Sequence, residues 1–394
     1  MSESPVSGRA PAAPEGPVRP GRAPSPPGTG PSSRQERPFP RPDYRSLTPY
    51  DPGRIPVEVD LSDNTNLWGP SPAALSVIRN APQEALARYP SVYAGPLKEA
   101  VAQRFGVPVE NVTTGCGSDD ILDSAFRAAL FPPGFMTYPG PSFSMVETFA
   151  AMNGLTPRML DWAGAERDPG LLLQGGPALI YLCRPNNPTG ATLVREWVEA
   201  LLGAAGPEGP LVVLDEAYAD FAEDDFLLEA LAYPRLLVLR TLSKLYGLAG
   251  LRVGFGIGSE GLIREVEKSR GPYKVTHLSQ DAAVAALKDS SGWPEEIVRK
   301  TVENRERLSR ELGVRGLTPL PSQGNFLLVP VEPADALRVN HGLRRNGVAV
   351  RPFPGLPETG DALRVSIGPW NLMERFLEAM DAAISHGILK ETRA

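Results

Sequence analysis

The sequence predicts an α/β protein, with a large domain built on a mostly parallel central sheet flanked by helices and a smaller α+β domain at the C-terminus. Two observations carry this prediction. Between about residues 96 and 268, short apolar runs alternate with stretches of helical periodicity, which is typical of strands joined by crossover helices. In the C-terminal third, longer helices and isolated strands replace this regular alternation.

The predicted elements of the large domain follow from their apolar patterns. Residues whose apolar positions recur at helical spacing are expected to form helices, and short continuous apolar runs are expected to form strands that are buried on both faces. The helices are Pro96–Phe105, Asp119–Leu130, Glu196–Leu202 and Glu260–Lys268, and the strands are Ala178–Cys183, Leu211–Leu214 and Leu236–Leu239. Strands separated by helices favour a parallel sheet.

The smaller domain is expected over residues 291–394. Its predicted helices are Pro294–Leu312, Ala334–Arg345 and a last one from Leu372 onward, and its predicted strands are Asn325–Val329, Val348–Arg351 and Ala362–Ile367. The large domain is assigned to residues 89–290. An N-terminal arm, with the segment that leads into the fold, is assigned to residues 44–88.

The first 43 residues form a separate region by composition. Residues 1–42 contain twelve prolines and almost no large apolar side chain. Such a segment cannot bury enough surface to offset the entropy lost on ordering, so we predict a disordered tail over residues 1–43. Its arginines faintly suggest a transit peptide, but the prolines forbid the amphipathic helix that such a peptide needs.

Composition excludes several classes of function. The net charge of −6 leaves no basic surface for nucleic acid, and no apolar run approaches the roughly 20 residues that span a bilayer. The two cysteines, Cys116 and Cys183, cannot form a disulfide framework, so we expect a cytoplasmic protein. The histidines His277, His341 and His386 are too far apart in sequence to indicate a metal site.

Polar side chains follow the ends of three predicted strands. Asn187 follows the first, Asp215 and Tyr218 follow the second, and Lys244 follows the third. In open α/β sheets, ligands bind beyond the carboxyl ends of the strands. An acid, an amide and a lysine are therefore expected to meet in one crevice.

The segment T-L-S-K-x-x-x-L-A-G-L-R, residues 241–252, gives Lys244 a special environment. A lysine among apolar and small residues can have its amine pKa lowered by desolvation, which suits Schiff-base chemistry. Thr241, Ser243 and Arg252 add hydroxyl donors and a positive charge, which suit a phosphate. A lone S-K pair would indicate a solvated surface lysine, but the whole string favours a functional one.

A second anion site is indicated where Gly117, Ser118 and Asp119 open a predicted helix. Glycine lets backbone amides approach an anion, and a helix N-terminus favours negative charge. Without other motifs, an ordinary capped helix explains these residues equally well. Phe143 follows a short predicted strand, where its ring is suited either to stack on a cofactor or to pack in the core.

Four motifs then occur in order: P-N-N-P-T-G (185–190), L-D-E-A-Y (214–218), T-L-S-K (241–244) and L-A-G-L-R-V-G (248–254). This set resembles the class I and II aminotransferases. Further segments are similar to the histidinol-phosphate aminotransferase branch of that family: P-Y-D-P-G (49–53), L-S-D-N-T-N-L-W-G (61–69), R-Y-P (88–90), G-S-D (117–119), V-R-P (350–352) and L-R-V-S-I-G (363–368). The resemblance covers about residues 47–385.

The resemblance implies fold type I of the pyridoxal-phosphate-dependent transferases and the cofactor pyridoxal 5′-phosphate (PLP). Lys244 would carry PLP as a Schiff base and move the proton from the substrate Cα to the cofactor C4′. Asp215 would pair with the pyridine nitrogen, and a carboxylate beside a pyridinium would stay ionised. Tyr218 and Asn187 would donate to the ring O3′, and Phe143 would stack on the ring.

The resemblance also assigns the anion sites. The residues implied to hold the cofactor phosphate are Gly117, Ser118, Asp119, Thr241, Ser243 and Arg252. Tyr89 would reach the phosphate of a neighbouring subunit, which implies a homodimer with shared sites. Arg364 would clamp the substrate α-carboxylate in a fork, and Arg351 would lie near the distal end of the substrate. Asn64 and Asn187 are also implied to bind substrate.

The predicted reaction is transfer of an amino group between histidinol phosphate, or another amino donor, and 2-oxoglutarate. Two departures from the family pattern lie on the substrate side, where N-T-N-L at 64–67 replaces N-E-N-P and Phe143 replaces a frequent tyrosine. They leave open an aromatic or pathway-specific transaminase. A threonine-phosphate-type PLP decarboxylase also stays open. A PLP-binding module of a DNA-binding regulator is disfavoured, because the proline-rich N-terminus cannot form a helix-turn-helix.

Overall fold

A seven-stranded sheet lies at the centre of the computed structural model, which describes residues 39–40, 44–45, 47–51, 53, 55–129 and 134–388. The strands, in chain order, are β1 (Val59–Asp60), β2 (Val112–Cys116), β3 (Gly134–Gly140), β4 (Leu155–Asp161), β5 (Leu179–Cys183), β6 (Leu211–Asp215), β7 (Leu236–Thr241), β8 (Val253–Ile257), β9 (Phe326–Pro330), β10 (Val348–Ala349), β11 (Arg351–Leu356) and β12 (Gly360–Ser366). The large sheet has the order β2-β8-β7-β6-β5-β3-β4, and only β8 runs antiparallel to its neighbours. The predicted α/β class with a mostly parallel sheet is confirmed.

Helices cover both faces of this sheet. In chain order, the α-helices of the described residues are α1 (Pro72–Arg79), α2 (Glu84–Ala87), α3 (Gly95–Phe105), α4 (Ser118–Ala129), α5 (Met145–Met152), α6 (Trp162–Arg167), α7 (Arg195–Ala205), α8 (Glu260–Lys268), α9 (His277–Leu287), α10 (Trp293–Val314), α11 (Ala336–Arg345) and α12 (Trp370–Ser385). Side chains of α4, α5 and α8 share a core with one face, and those of α1, α3, α7 and α9 share a core with the other.

Alternation along β6 shows why the strand is apolar throughout. Val212 and Leu214 face the core on one side of the sheet, whereas Leu211 and Val213 face the core on the other side. Successive strand residues point to opposite faces, so a strand covered on both faces needs apolar residues at every position. Asp215 ends the strand on the same face as Leu211 and Val213.

The C-terminal part contains two smaller sheets. β11, β12 and β9 form an antiparallel sheet in that order, and β10 pairs in parallel with β1 near the start of the described chain. Side chains of α10, α11 and α12 pack with these strands in a separate core. The predicted domain boundaries at residues 88/89 and 290/291 stay a prediction, and the predicted disordered tail, apart from residues 39–40, lies outside the described residues.

One predicted strand of this region is wrong in its extent. The sequence indicated a single strand over Val348–Arg351, but β10 ends at Ala349 and β11 begins at Arg351. The chain changes partners between them, because β10 pairs with β1 while β11 pairs with β12. An apolar pattern indicates which residues are buried but not which strand they pair with. The change of partner between β10 and β11 could therefore not be predicted from it. Within the described residues, no helix has the length and apolar character needed to cross a bilayer.

Candidate active site

A cavity of about 450 Å³ lies beyond the carboxyl ends of β5, β6 and β7. Ten of the predicted site residues line it: Ser118, Asp119, Phe143, Asn187, Asp215, Tyr218, Thr241, Ser243, Lys244 and Arg252. A second cavity of about 150 Å³ shares Phe143, Asn187, Tyr218 and Lys244 with the first, and it adds Arg351 and Arg364. The structure therefore brings together the acid, the amide and the lysine that the strand ends indicated.

Lys244 is held in the turn that follows β7. Its Nζ donates to the carbonyl oxygen of Asp63 at 3.3 Å and lies 5.5 Å from the centroid of the Tyr218 ring. Burial, with the positive charge of Arg364 second, lowers the pKa of the Lys244 amine to about 8. A much larger fraction of this amine is therefore neutral near pH 7–8 than for an ordinary lysine, and the neutral amine is the form that acts as nucleophile or base.

We expect the reactivity of Lys244 in the apoprotein to follow this lowered pKa. Labelling with an amine-selective acylating reagent should rise with pH and reach half its maximum near pH 8, because only the neutral amine reacts. For an ordinary lysine side chain the half-maximum lies near pH 10.4. Peptide mapping after short pulses at several pH values measures this profile, with Nα-acetyl-lysine as the reference. A half-maximum for Lys244 at the reference value would contradict the lowered pKa.

Asp215 is a buried carboxylate with 5% of its surface exposed. Its Oδ1 accepts a hydrogen bond from the backbone N–H of Ala217 at 3.1 Å. Burial raises the pKa of Asp215 to about 6, since a charge is poorly solvated there. A cationic group in the adjoining cavity would offset this cost, so the position suits a protonated ring nitrogen.

The far side of the cavity has the donor set of a phosphate site. Ser118 and Asp119 open α4 and present the start of the helix to the cavity. Thr241 Oγ1 donates to Ser243 Oγ at 3.0 Å, and the guanidinium of Arg252 lies 3.2 Å from Asp119. Backbone amides, hydroxyls and an arginine together fit a phosphate.

Gly117 precedes this helix with a φ of +78°. A Cβ there would lie 2.5 Å from the guanidinium of Arg252. The position therefore favours glycine because of its backbone conformation, and any larger side chain would also displace the guanidinium of Arg252. Gly117 itself does not line the cavity.

Tyr218 and Arg364 are linked through Asn187. The Tyr218 hydroxyl accepts hydrogen bonds from Asn64 Nδ2 at 3.1 Å and Asn187 Nδ2 at 3.4 Å, and burial raises the pKa of Tyr218. Arg364 donates through Nη1 to Asn187 Oδ1 and through Nη2 to the Ser62 carbonyl oxygen, both at 2.6 Å. Arg364 is only 7% exposed, and its buried Nε–H has no partner among the described residues. A buried unpaired donor at a cavity wall suits an anionic ligand.

Two predicted site residues lie elsewhere. Asn64 is fully buried behind Tyr218 and lines neither cavity. Tyr89 is 83% exposed, and its ring lies 4.9 Å from that of Tyr273 at the surface. The substrate role of Asn64 and the intersubunit role of Tyr89 stay predictions.

Several cavity residues were not predicted from sequence. They are Tyr50, Asp63, Thr65, Ser142, Ser144, Met145, Cys183, Ala217, Ala249 and Phe353. Strand alternation could have found Cys183, because it ends β5 directly opposite Asp215. Tyr50 and Asp63 lie in two motifs of the resemblance, P-Y-D-P-G and L-S-D-N-T-N-L-W-G, but no role was assigned to them. No local pattern indicated Phe353. No group of three or more His, Cys, Asp or Glu side chains suited to a metal ion occurs among the described residues.

Comparison with known proteins agrees with this geometry. A family model described as aminotransferase class I and II matches residues 56–380. Histidinol-phosphate aminotransferase 2 of Ralstonia nicotianae is 38% identical over 87% of this chain and 97% of its own length. The aromatic amino acid aminotransferase of Thermobifida fusca is 36% identical over 85% of this chain and 94% of its own.

Among solved structures, histidinol-phosphate aminotransferase from Sinorhizobium meliloti in complex with pyridoxal-5′-phosphate has a TM-score of 0.76 and 26% identity, covering 91% of this chain and 99% of that one. The chain belongs to the class I and II aminotransferase family. It is a PLP-dependent aminotransferase of fold type I, and the family, fold type and cofactor predicted from sequence are confirmed.

Proposed function

We propose that the protein transfers an amino group from histidinol phosphate to 2-oxoglutarate, with Lys244 as the Schiff-base lysine and the proton-transfer base. One observation carries the proposal for these substrates. Arg351 and Arg364 are directly opposite each other on β11 and β12, and both line the second cavity beside Lys244. Like charges opposite each other in a sheet repel, so the pair favours an anionic ligand that neutralises it.

The free donors of the two arginines match this pair of substrates. The side chain of Arg351 lines the second cavity, and the buried Nε–H of Arg364 has no partner among the described residues. Histidinol phosphate carries a phosphate ester on the carbon next to Cα, where an amino acid carries its carboxylate. 2-Oxoglutarate carries a carboxylate at each end. Each substrate would thus present anionic oxygens to the arginine pair.

In the proposed mechanism, different residues around the cavity transfer the proton, contact the cofactor ring and orient the substrate. Bound PLP supplies an electron sink for the negative charge that develops at the substrate Cα. The Lys244 amine would accept the Cα proton, hold it as an ammonium and return it on the cofactor side. Asp215 would keep the ring nitrogen protonated, and Tyr218 would donate to the ring oxygen. Arg364 would orient the substrate, and Phe143 would cover one face of the cavity against water.

The experiment for this proposal is a donor screen with 2-oxoglutarate as acceptor, followed by glutamate formation. We expect histidinol phosphate to give the highest kcat/KM, at least about tenfold above phenylalanine, which corresponds to about 1.4 kcal/mol of transition-state binding. The two-arginine site gains from the dianionic phosphate of histidinol phosphate, whereas phenylalanine offers it only a monoanionic carboxylate. Release of carbon dioxide from threonine phosphate, without glutamate formation, would instead indicate a decarboxylase.

A second donor class is favoured by specific observations. Phe143 and Phe353 both line the second cavity, and the Thermobifida fusca relative is an aromatic amino acid aminotransferase. An apolar wall of this kind suits the ring of phenylalanine or tyrosine. A higher kcat/KM for either amino acid than for histidinol phosphate would favour this alternative. The cytoplasmic location expected from the two cysteines, which are unpaired in the structure, is proposed with either donor.

A homodimer is proposed from an exposed apolar surface that consists of Leu86, Tyr89, Val92 and Tyr273. Their exposed fractions are 75%, 83%, 42% and 42%. The backbone N–H of Tyr273 donates to the carbonyl oxygen of Val92, so the segments that carry these residues are joined. A contiguous apolar patch of this kind marks an interaction surface, and a second copy of this chain is the partner we propose.

Light scattering after size-exclusion chromatography tests this surface. We expect a molar mass of twice the 42.3 kDa of one chain. The double variant Leu86→Glu/Tyr89→Glu should approach the mass of one chain, because it places charges in an apolar interface. Val314→Glu, at an exposed valine outside the patch, is the matched control and should keep the wild-type mass. A wild-type mass of one chain would contradict the dimer.

A further inference from the structure

Tyr181 has a contact that its position in an apolar strand did not indicate. It lies in the middle of β5 and is fully buried. Its hydroxyl donates to Asp215 Oδ2 at 2.8 Å. The register of β5 and β6 pairs Cys183 with Asp215. Tyr181 lies two residues before Cys183, so its side chain is on the same face of the sheet as the carboxylate of Asp215.

This hydroxyl completes the hydrogen bonding of the carboxylate. Ala217 N–H donates to Oδ1, and Tyr181 donates to Oδ2, so each oxygen of Asp215 has one donor among the described residues. The two bonds fix the plane of the carboxylate, and each oxygen keeps a lone pair for a ligand. Tyr181 lines neither cavity, so its proposed effect on the cofactor runs through Asp215.

The electrostatics of the pair has a definite direction. Burial raises the pKa of Asp215, and the hydrogen bond from Tyr181 opposes that rise by stabilising the carboxylate. Burial, together with the nearby negative charge of Asp215, raises the pKa of the Tyr181 phenol well above its ordinary value. The phenol therefore stays protonated at neutral pH and acts as a hydrogen-bond donor.

We propose that Tyr181 is a positioning residue for the reaction: its hydroxyl keeps Asp215 ionised and aimed at the ring nitrogen of the cofactor. The inference rests on the proposed role of Asp215 as the partner of that nitrogen. Packing alone accounts for the aromatic ring, which lies in the core with Ile121 and Val213. It does not account for the hydroxyl, because phenylalanine would fill the same space.

Tyr181→Phe removes only this hydroxyl. We expect the dissociation constant of PLP, measured by fluorescence titration of the apoprotein, to rise about tenfold, which corresponds to about 1.4 kcal/mol. The turnover number should fall by about tenfold as well, because a less ionised Asp215 stabilises the protonated ring nitrogen less well. KM for the amino donor should change little, since Tyr181 does not line the substrate cavity.

The chain offers a matched control in the neighbouring strand β3. Tyr138 is also a buried tyrosine, and its hydroxyl bonds to Glu147, away from the cofactor cavity. Tyr138→Phe should leave both the PLP dissociation constant and kcat at their wild-type values. Equal losses in the two variants would show that any buried hydroxyl of the sheet matters, and the proposal for Tyr181 would be wrong.

A double-variant cycle separates action through Asp215 from a general effect. In an Asp215→Asn background, Tyr181→Phe should cause no further rise in the PLP dissociation constant, because residues that act as a unit are not additive. A full tenfold rise in that background, or no rise in the wild type, would overturn the inference. If Asp215→Asn itself left PLP binding and turnover unchanged, the proposed function would fail; if only Tyr181→Phe had no effect, the proposed function would stand.

Discussion

Lys244→Ala should lower kcat by at least about 10⁴-fold, the upper end of what a single general base contributes. The expected loss is this large because the same amine is assigned both the attachment of the cofactor and the transfer of the Cα proton. The lowered pKa of about 8 makes the amine suitable for both tasks near neutral pH. Steady-state glutamate formation measures kcat, and the visible absorption of the purified protein, which should disappear, reports the attachment.

Three measurements sharpen this result. Lys244→Arg should be as inactive as the alanine variant, because a guanidinium cannot be deprotonated to act as a base. Small primary amines added to Lys244→Ala should restore part of the turnover, with more basic amines giving more. Lys288→Ala, at an exposed lysine after α9, should behave as the wild type. Substantial turnover by Lys244→Ala without added amine would remove Lys244 from its role.

The sheet and the centre of the site could be predicted because both follow from local sequence. Continuous apolar runs identified β5, β6 and β7, and the carboxyl ends of parallel strands meet at one edge. Asn187, Asp215 and Lys244 directly follow or end these strands, so their convergence needed no knowledge of distant contacts. The arginine pair was assigned through the resemblance, and the register of β11 and β12 places the two residues opposite each other.

The alternation of side chains along a strand limits which polar residues at a strand end can be assigned to the cavity from sequence. Cys183, Asp215 and Thr241 face the cavity. A residue adjacent to each of them in sequence points to the other face of the sheet, and these residues are Arg184, Glu216 and Arg240. A polar residue after a strand is therefore as often turned away from the cavity as toward it. A sequence shows which residues are polar. The face of the sheet to which each side chain points can be assigned only if the end of the strand is known to within one residue.

The residues that face away form a buried ion network. Arg240 lies 3.1 Å from Glu216 and Arg184 lies 2.5 Å from Asp224. Removal of one partner would leave a buried charge without compensation. Each of these charges therefore depends on its partners, and the partners come from positions that local patterns do not connect.

Tyr181 shows a second limit. It lies in a run of five buried residues, where an aromatic side chain is usually explained by packing. Its hydrogen bond to Asp215 depends on the register of β5 against β6, because the register determines whether the hydroxyl can reach the carboxylate. Register is fixed by the assembled sheet, so only the structure could reveal the hydrogen bond to Asp215.

Arg364→Ala should raise KM by about ten- to a hundredfold for every amino-acid donor and for the 2-oxo acid acceptor. A hydrogen bond to a charged group contributes roughly 1.5–3 kcal/mol, and the variant loses the donors of this guanidinium at the cavity wall. Because Arg364 also bonds to Asn187 and to Ser62, the variant must be checked for PLP content and for its unfolding midpoint. Initial rates at varied donor and varied acceptor concentrations give the two KM values.

Two further variants decide whether the higher KM of Arg364→Ala reflects the loss of two parallel N–H donors or only the loss of a positive charge. Arg364→Lys keeps the charge but cannot offer two parallel N–H donors, so its KM values should lie between those of the wild type and of the alanine variant. Arg351→Ala should raise KM strongly for 2-oxoglutarate, which has two carboxylates, and for histidinol phosphate, whose phosphate is a dianion. It should raise KM little for phenylalanine, which offers a single monoanionic carboxylate. An unchanged KM in Arg364→Ala would exclude the arginine from the anion site. Equal losses for phenylalanine and histidinol phosphate in Arg351→Ala would contradict a preference of Arg351 for the more highly charged substrates.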